Sequence, residues 1–201
     1  MLGAMLPDFA SMSRARLFGA EDAVVAAGIA LHHATDDAFH GGALLPRAVR
    51  ARRGGPRGGR RGPGATRAVA HVGTELLLDG LLLDDPEAAR CYRAAVALPR
   101  EPLGLRFPRG GAARFAALDA RLREHDLPED YRSPERVALR LEQILARRPR
   151  LALAPGERPA VVAYLERTQG ALVHAAPRLM AEVRRGLESA GFSGAPARLT
   201  A

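Results

Sequence analysis

The hydrophobic positions of this chain follow a helical period along most of its length. Apolar residues recur at steps of three and four, and no segment of useful length alternates as a strand would. Glycine pairs, prolines and cap residues such as those at Asp85-Pro86 and Ser133-Pro134 mark where helices begin and end. These signals predict six helices, at about 21–40, 66–83, 86–98, 112–125, 134–148 and 159–190, the last kinked at Pro177.

Composition agrees with an all-α fold. The chain has 201 residues, of which 47% are hydrophobic but only 4% aromatic, and tryptophan is absent. The core must therefore be built from leucine, alanine and valine, and alanine and leucine favour helices. Because this length suits one domain with a substantial core, we predict a single all-α domain over residues 1–201.

One segment cannot remain helical. Residues 53–64 read RGGPRGGRRGPG, and this density of glycine and proline predicts a flexible, Arg/Gly-rich loop. Residues 46–53, just before it, suit a short basic helix. The chain has no lysine, and the stretch 47–67 contains eight arginines and no acid, enough to account for the whole net charge of +8. Such an excess indicates an acidic partner, either a protein or a nucleic acid.

Cysteine content and hydropathy bear on location. A single cysteine, Cys91, excludes an internal disulfide and is typical of a reducing compartment such as the cytoplasm. No run of about 18 apolar residues predicts a membrane span. Residues 1–8 are too short and too acidic for a signal peptide.

Two triplets of ligand-type residues, each at four-residue spacing, indicate chemistry. They are His32, Asp36 and His40, and then His71, Glu75 and Asp79. A step of four advances about 400° on an α-helix, so each triplet forms one narrow stripe. Two such stripes facing each other would gather imidazoles and carboxylates, the ligands of a divalent metal.

The helix that carries the second triplet is apolar nearly all round, which predicts burial. Buried carboxylates cost several kcal/mol unless a partner or a metal offsets them. The alternative is that each stripe is the solvated face of an amphipathic helix. The first helix also carries a second pair, His33 and Asp37, beside the first triplet, and only one of the two pairs is expected in the site.

Four blocks of the chain resemble the acyl carrier protein phosphodiesterases, a divergent branch of the metal-dependent HD phosphohydrolases. The blocks are GAMLPDF at 3–9, VVAAGIALHHATD at 24–36, the acids of ELLLD at 75–79, and RRPRL at 147–151 with PRLM at 177–180. The family's opening helix, which bears histidines, has no counterpart in the predicted elements. Its first acid in the second acidic helix is usually aspartate, where this chain has Glu75.

The resemblance implies an HD-like fold and a bound divalent ion, manganese before magnesium or iron. By this resemblance the ion would be held by Asp8, His32, Asp36 and Asp79. Glu75 would ligate or bridge to a second ion, and His40, His71 or His33 would move a proton or orient a ligand.

The implied reaction is hydrolysis of the phosphodiester that joins 4′-phosphopantetheine to a serine of holo-acyl carrier protein. Because acyl carrier proteins are acidic, arginines are the expected contacts. The candidates are Arg147, Arg148 and Arg150, together with Arg47, Arg50, Arg52 and Arg53. The arginines at 147–150 are equally explained as a helix C-terminus whose charges meet the helix dipole.

Three other interpretations remain open at this point. The same site could act on a nucleotide or another phosphoester. The Arg/Gly loop could bind nucleic acid, although it has no interleaved aromatic residue to stack on a base. The chain could also be a helical protein without catalytic activity.

Overall fold

The protein is all-α. The computed structural model describes residues 1–41, 63–125 and 129–192, and in these ranges it contains α-helices, short 3₁₀ turns and one isolated bridge, between Gly19 and Arg106. The helices are α1 (Leu2–Met12), α2 (Ala23–Gly41), α3 (Pro63–Leu82), α4 (Pro86–Ala97), α5 (Gly111–Glu124), α6 (Pro134–Ala146) and α7 (Arg158–Ser189). The 3₁₀ turns are Glu101–Leu103 and Glu129–Arg132. The all-α prediction is confirmed, whereas the HD-like arrangement stays a prediction.

The six predicted helices are present, with bounds that differ by three residues or fewer. The signals used to find them act as expected: Ser133 accepts a hydrogen bond from the Arg136 backbone N–H at 3.3 Å, and Pro134 follows it. Gly191, just after α7, takes a positive φ of 86°. The predicted loop extended too far, because Pro63 and Gly64 already belong to α3, where a proline at the first position costs no hydrogen bond.

Helix α1 was not predicted, since the first helix was expected near residue 21. It has no side-chain cap, no acid in its first turn, and a proline, Pro7, in its interior. Its buried residues Leu2, Leu6, Phe9 and Ala10 nevertheless follow a helical period, which is the signal that could have revealed it. A helix is therefore present at Leu2–Met12, and it carries Asp8 but no histidine.

The described residues form two compact units, each with its own core. The first unit comprises 1–41, 86–125 and 183–192, and the second comprises 63–85 and 129–182. In the first, Leu6 and Phe9 of α1 pack with Val25 of α2, Val96 of α4 and Phe115 of α5. The prediction of one domain stays a prediction.

The second unit is built around α3. Val69 and Leu77 of α3 pack with Val137 and Leu141 of α6 and with a row of α7 side chains, Val161, Tyr164, Leu165 and Leu172. The 3₁₀ turn Glu129–Arg132 lies against Gly80, where a Cβ would collide with the Tyr131 carbonyl oxygen. Leucine and valine fill this core, as composition predicted.

Some predictions fall on residues that are not described. The basic helix at 46–53 and the part of the Arg/Gly loop at 53–62 lie outside the described residues. Within the described ranges, no helix combines the length and the apolar character needed to cross a membrane.

Candidate metal centre

The site in the first unit depends on a close crossing of α1 and α2. A Cβ added to Gly28 would lie 2.8 Å from the Cα of Gly3 and 3.0 Å from the Ala4 backbone nitrogen. A Cβ on Gly3 would collide with the Val25 carbonyl oxygen. The two backbones therefore touch at this point, and Asp8 and His32, five and four residues further along their helices, approach each other.

His32 of α2 is held by the backbone of α1. Its Nδ1 lies 3.0 Å from the Ala4 carbonyl oxygen, and because a carbonyl can only accept, Nδ1 must carry the proton. In the neutral ring this fixes the tautomer and leaves the Nε2 lone pair as the position for a metal. The His32 side chain is only 18% exposed, so the orientation is well constrained.

Two carboxylates stand beside His32. Asp8 Oδ2 lies 3.8 Å from His32 Nδ1, and Asp36, one turn after His32, contacts His40 Nε2 through Oδ1 at 3.1 Å. Although 70% of the Asp8 side-chain surface is open, the two helices displace part of its water. This desolvation raises the pKa of Asp8 above its ordinary value of 3.8; His32 lowers that pKa and the charge of Asp36 raises it.

The three ligand groups are near one another but are not yet in coordination geometry. The ligand atoms of Asp8, His32 and Asp36 do not all lie within 4.8 Å of one another. Bonds of about 2.1 Å to an ion such as Mg²⁺ bring ligand atoms to within about 4.2 Å. Ion binding would therefore require the two exposed carboxylates to rotate, while His32 would remain in place.

The structure distinguishes between the two histidine–aspartate pairs of α2. His32 contacts Asp8 and the charge of Asp36 acts on Asp8, although Asp36 is as exposed as His33 and Asp37 are. The His33 ring packs edge-on against the His32 ring, with centroids 5.2 Å apart. The pair at 32 and 36 thus belongs to the candidate centre, and Asp37 lies outside it.

The second triplet lies on α3, in the second unit. His71 Nε2 and Glu75 Oε1 are 3.4 Å apart, and both side chains are half-buried. Asp79, one turn later, is exposed, so the argument that a buried carboxylate requires a cation does not apply to it. The α3 side chains Val69, Leu77 and Leu78 are buried, whereas Arg67 and Asp79 are exposed, so the helix is buried only in part. Convergence of the two triplets on one ion stays a prediction.

The arginines predicted to bind substrate lie at the end of α6. Arg147 is the C-cap residue, and Arg147, Arg148 and Arg150 are all exposed. In the described part of the chain none of the three forms an ion pair. Both interpretations of this cluster, a contact surface and a favourable helix terminus, fit this position.

Two structural features of the candidate centre were not predicted from the sequence. The first is the pair of glycines, Gly3 and Gly28, whose contact sets the crossing. The second is the Ala4 carbonyl, which fixes the state of His32 and has no signature in the sequence because any residue supplies a carbonyl. Glycines on the apolar faces of two helices were the available signal for the first.

The chain was compared with protein-family models, with curated proteins and with solved structures, and none of them matches it.

Proposed function

We propose that this chain is a metal-dependent phosphodiesterase that hydrolyses the 4′-phosphopantetheine–serine diester of holo-acyl carrier protein. One observation supports the metal more than any other: His32 is held with Nδ1–H on the Ala4 carbonyl, and the carboxylates of Asp8 and Asp36 lie nearby. The resemblance of four sequence blocks to acyl carrier protein phosphodiesterases supports the reaction and the HD-like fold.

The donor set fits a hard or borderline divalent ion. One imidazole nitrogen and two carboxylates suit manganese, iron or magnesium better than a soft metal. When bound, such an ion lowers the pKa of a water ligand and offsets charge that develops on the phosphoryl oxygens. His40 contacts Asp36 at 3.1 Å and would hold that carboxylate in position from outside the ligand set.

Roles on α3 are part of the proposal. Sequence spacing and the resemblance together suggest three roles: Asp79 as a ligand, Glu75 as a ligand or bridge, and His71 as a proton carrier. The metal content of Asp79→Ala, measured beside that of the wild type, tests whether this residue contributes. The exposed arginines at 147, 148 and 150 would meet the acidic carrier protein.

The test is the mass of the carrier protein after incubation with the full-length chain and Mn²⁺. We expect mass spectrometry to show conversion of holo-carrier to apo-carrier, with release of 4′-phosphopantetheine. Asp36→Ala should abolish conversion, whereas Asp37→Ala, which removes an exposed acid at the next position, should retain it. Hydrolysis of a nucleotide panel without release from the carrier would contradict the proposed substrate.

A further inference from the structure

A group of four arginines in the first unit has no place in the proposed site. We define the loop arginine patch as Arg14, Arg16, Arg106 and Arg114, arranged around Phe18. Arg16 lies over the Phe18 ring at 5.3 Å, and the Phe18 N–H donates to the Arg106 carbonyl oxygen at 2.8 Å. The Arg114 Nε and Nη2 donate to the Arg14 carbonyl oxygen at 3.2 and 3.1 Å. These contacts join two segments that are distant in sequence into one surface.

The patch is cationic and lacks internal compensation. All four arginines are exposed, and none forms an ion pair within the described residues. Two acids follow Phe18 along the chain: Asp22 accepts a hydrogen bond from the Val25 N–H at 2.8 Å, and Glu21 packs against Gly104. Phe18, 56% exposed, gives the patch an apolar centre.

Arg14 adds an independent observation. It follows α1 with a φ of 54°, a left-handed conformation that glycine adopts far more readily. The Ala15 N–H donates to the Ala10 carbonyl at 2.8 Å and the Arg14 N–H to the Ser11 carbonyl at 3.0 Å, which is the helix-terminating motif that normally ends in glycine. A charged residue therefore occupies a position where it costs stability, as is common at functional surfaces.

We propose that the loop arginine patch is a docking surface for an acidic protein, in addition to the arginines at 147, 148 and 150. This inference rests on the proposed function, which identifies the acidic protein as the acyl carrier protein. Arginines around one exposed aromatic side chain suit a protein surface that presents carboxylates beside an apolar side chain. A nucleic acid is less well matched, because Arg16 covers a face of the only aromatic ring in the patch and four charges neutralise few phosphates.

Apo-carrier protein is the probe, because it lacks the phosphopantetheine arm and reports docking without hydrolysis. In the full chain, Arg14→Gln, Arg16→Gln and Arg106→Gln together should weaken apo-carrier binding about tenfold at low salt. The control combines Arg121→Gln, Arg167→Gln and Arg185→Gln, three exposed arginines outside the patch with the same change in net charge. It should change affinity less than about twofold.

A single variant separates docking from folding. Arg14→Gly removes one charge and relieves the left-handed conformation, so it should raise the melting temperature by about 2 to 4 °C while weakening apo-carrier binding. A variant that lost binding because its fold was damaged would instead show a lower melting temperature together with weaker apo-carrier binding.

Three results would overturn the docking surface. The first is that the wild type does not bind apo-carrier protein. The second is that the two triple variants lose the same amount of apo-carrier affinity. The third is that the triple variant of the patch loses binding to single-stranded DNA while its carrier binding is unchanged. A different result would contradict the proposed reaction but not the docking surface: the wild type does not hydrolyse holo-carrier protein, although the patch variants lose apo-carrier binding.

Discussion

His32 shows how the backbone of one helix sets the chemical state of a side chain on another. Four-residue spacing identified His32 and Asp36 from the sequence, and the resemblance added Asp8. Spacing could not reveal which nitrogen of His32 carries the proton, because this depends on the Ala4 carbonyl of α1 at 3.0 Å. Nor could it show that Asp79 is exposed, since a helical wheel gives direction but not depth.

Asp8 should make the stability of the metal-free protein depend on pH. Its pKa is raised in the folded state, so the stability it contributes is fully present below the ordinary value of 3.8 and is lost as pH rises through the raised pKa. In the presence of a chelator, Asp8→Asn should therefore be more stable than the wild type at pH 7, by less than about 1 kcal/mol because the side chain is largely exposed.

Thermal melts between pH 3 and pH 7 measure this difference, which should disappear at the acidic end. Asp37→Asn controls for the change in net charge, since it removes an exposed acid from the neighbouring helix, α2. A wild type more stable than Asp8→Asn at pH 7 without metal would contradict the raised pKa.

At the scale of elements, capping and periodicity predicted the six helices that carry clear signals. They did not predict α1, whose interior proline and missing cap argue against a helix in isolation. Burial of Leu2, Leu6 and Phe9 in the core of the first unit offsets these local costs. Tertiary packing of this kind lies beyond the reach of local sequence signals.

The crossing of α1 and α2 makes Gly28 sensitive to substitution. Gly28→Ala would place a Cβ 2.8 Å from the Gly3 Cα, and backbone atoms cannot turn aside as a side chain can. We expect a loss of about 1 to 3 kcal/mol in unfolding free energy and weaker Mn²⁺ binding, because Asp8 would shift relative to His32.

Gly170→Ala is the matched control for this variant. Gly170 lies in the interior of α7 with no atom within 4 Å of its added Cβ. There alanine should stabilise the helix by roughly 0.5 to 1 kcal/mol. Urea unfolding measures both variants, and equal effects would contradict a close crossing.

The C-terminus of α4 is held by a buried charge network. Asp119 accepts hydrogen bonds from Arg100 Nε at 2.9 Å and Arg123 Nε at 3.0 Å. The two guanidinium groups also donate to the final carbonyls of the helix and of the residue after it, those of Ala95, Val96, Ala97 and Leu98. Desolvation lowers the pKa of Arg100, although the charge of Asp119 raises it.

Asp119→Ala should destabilise the protein by about 3 kcal/mol, because it leaves Arg100, which is 10% exposed, without its carboxylate. The control is Asp84→Ala, which breaks the exposed ion pair with Arg132 and should cost less than about 1 kcal/mol. Chemical denaturation compares the two. Similar losses in both variants would show that burial does not govern the Asp119 network.

At the scale of the whole molecule, composition predicted the all-α class and a core built largely from aliphatic side chains. The division of the described residues into two units, each with its own core, was not predicted. Residues 86–125 belong to one unit while their sequence neighbours on both sides belong to the other, and a continuous helical pattern carries no signal for such a division.

The metal content of the whole protein tests the central claim most directly. After equilibrium dialysis against Mn²⁺, elemental analysis should find stoichiometric manganese in the wild type and in Asp37→Ala, and a large loss in Asp36→Ala. A wild type that binds no manganese, magnesium or iron, or an Asp36→Ala variant that retains its full complement, would contradict a metal centre built on His32 and its neighbouring carboxylates.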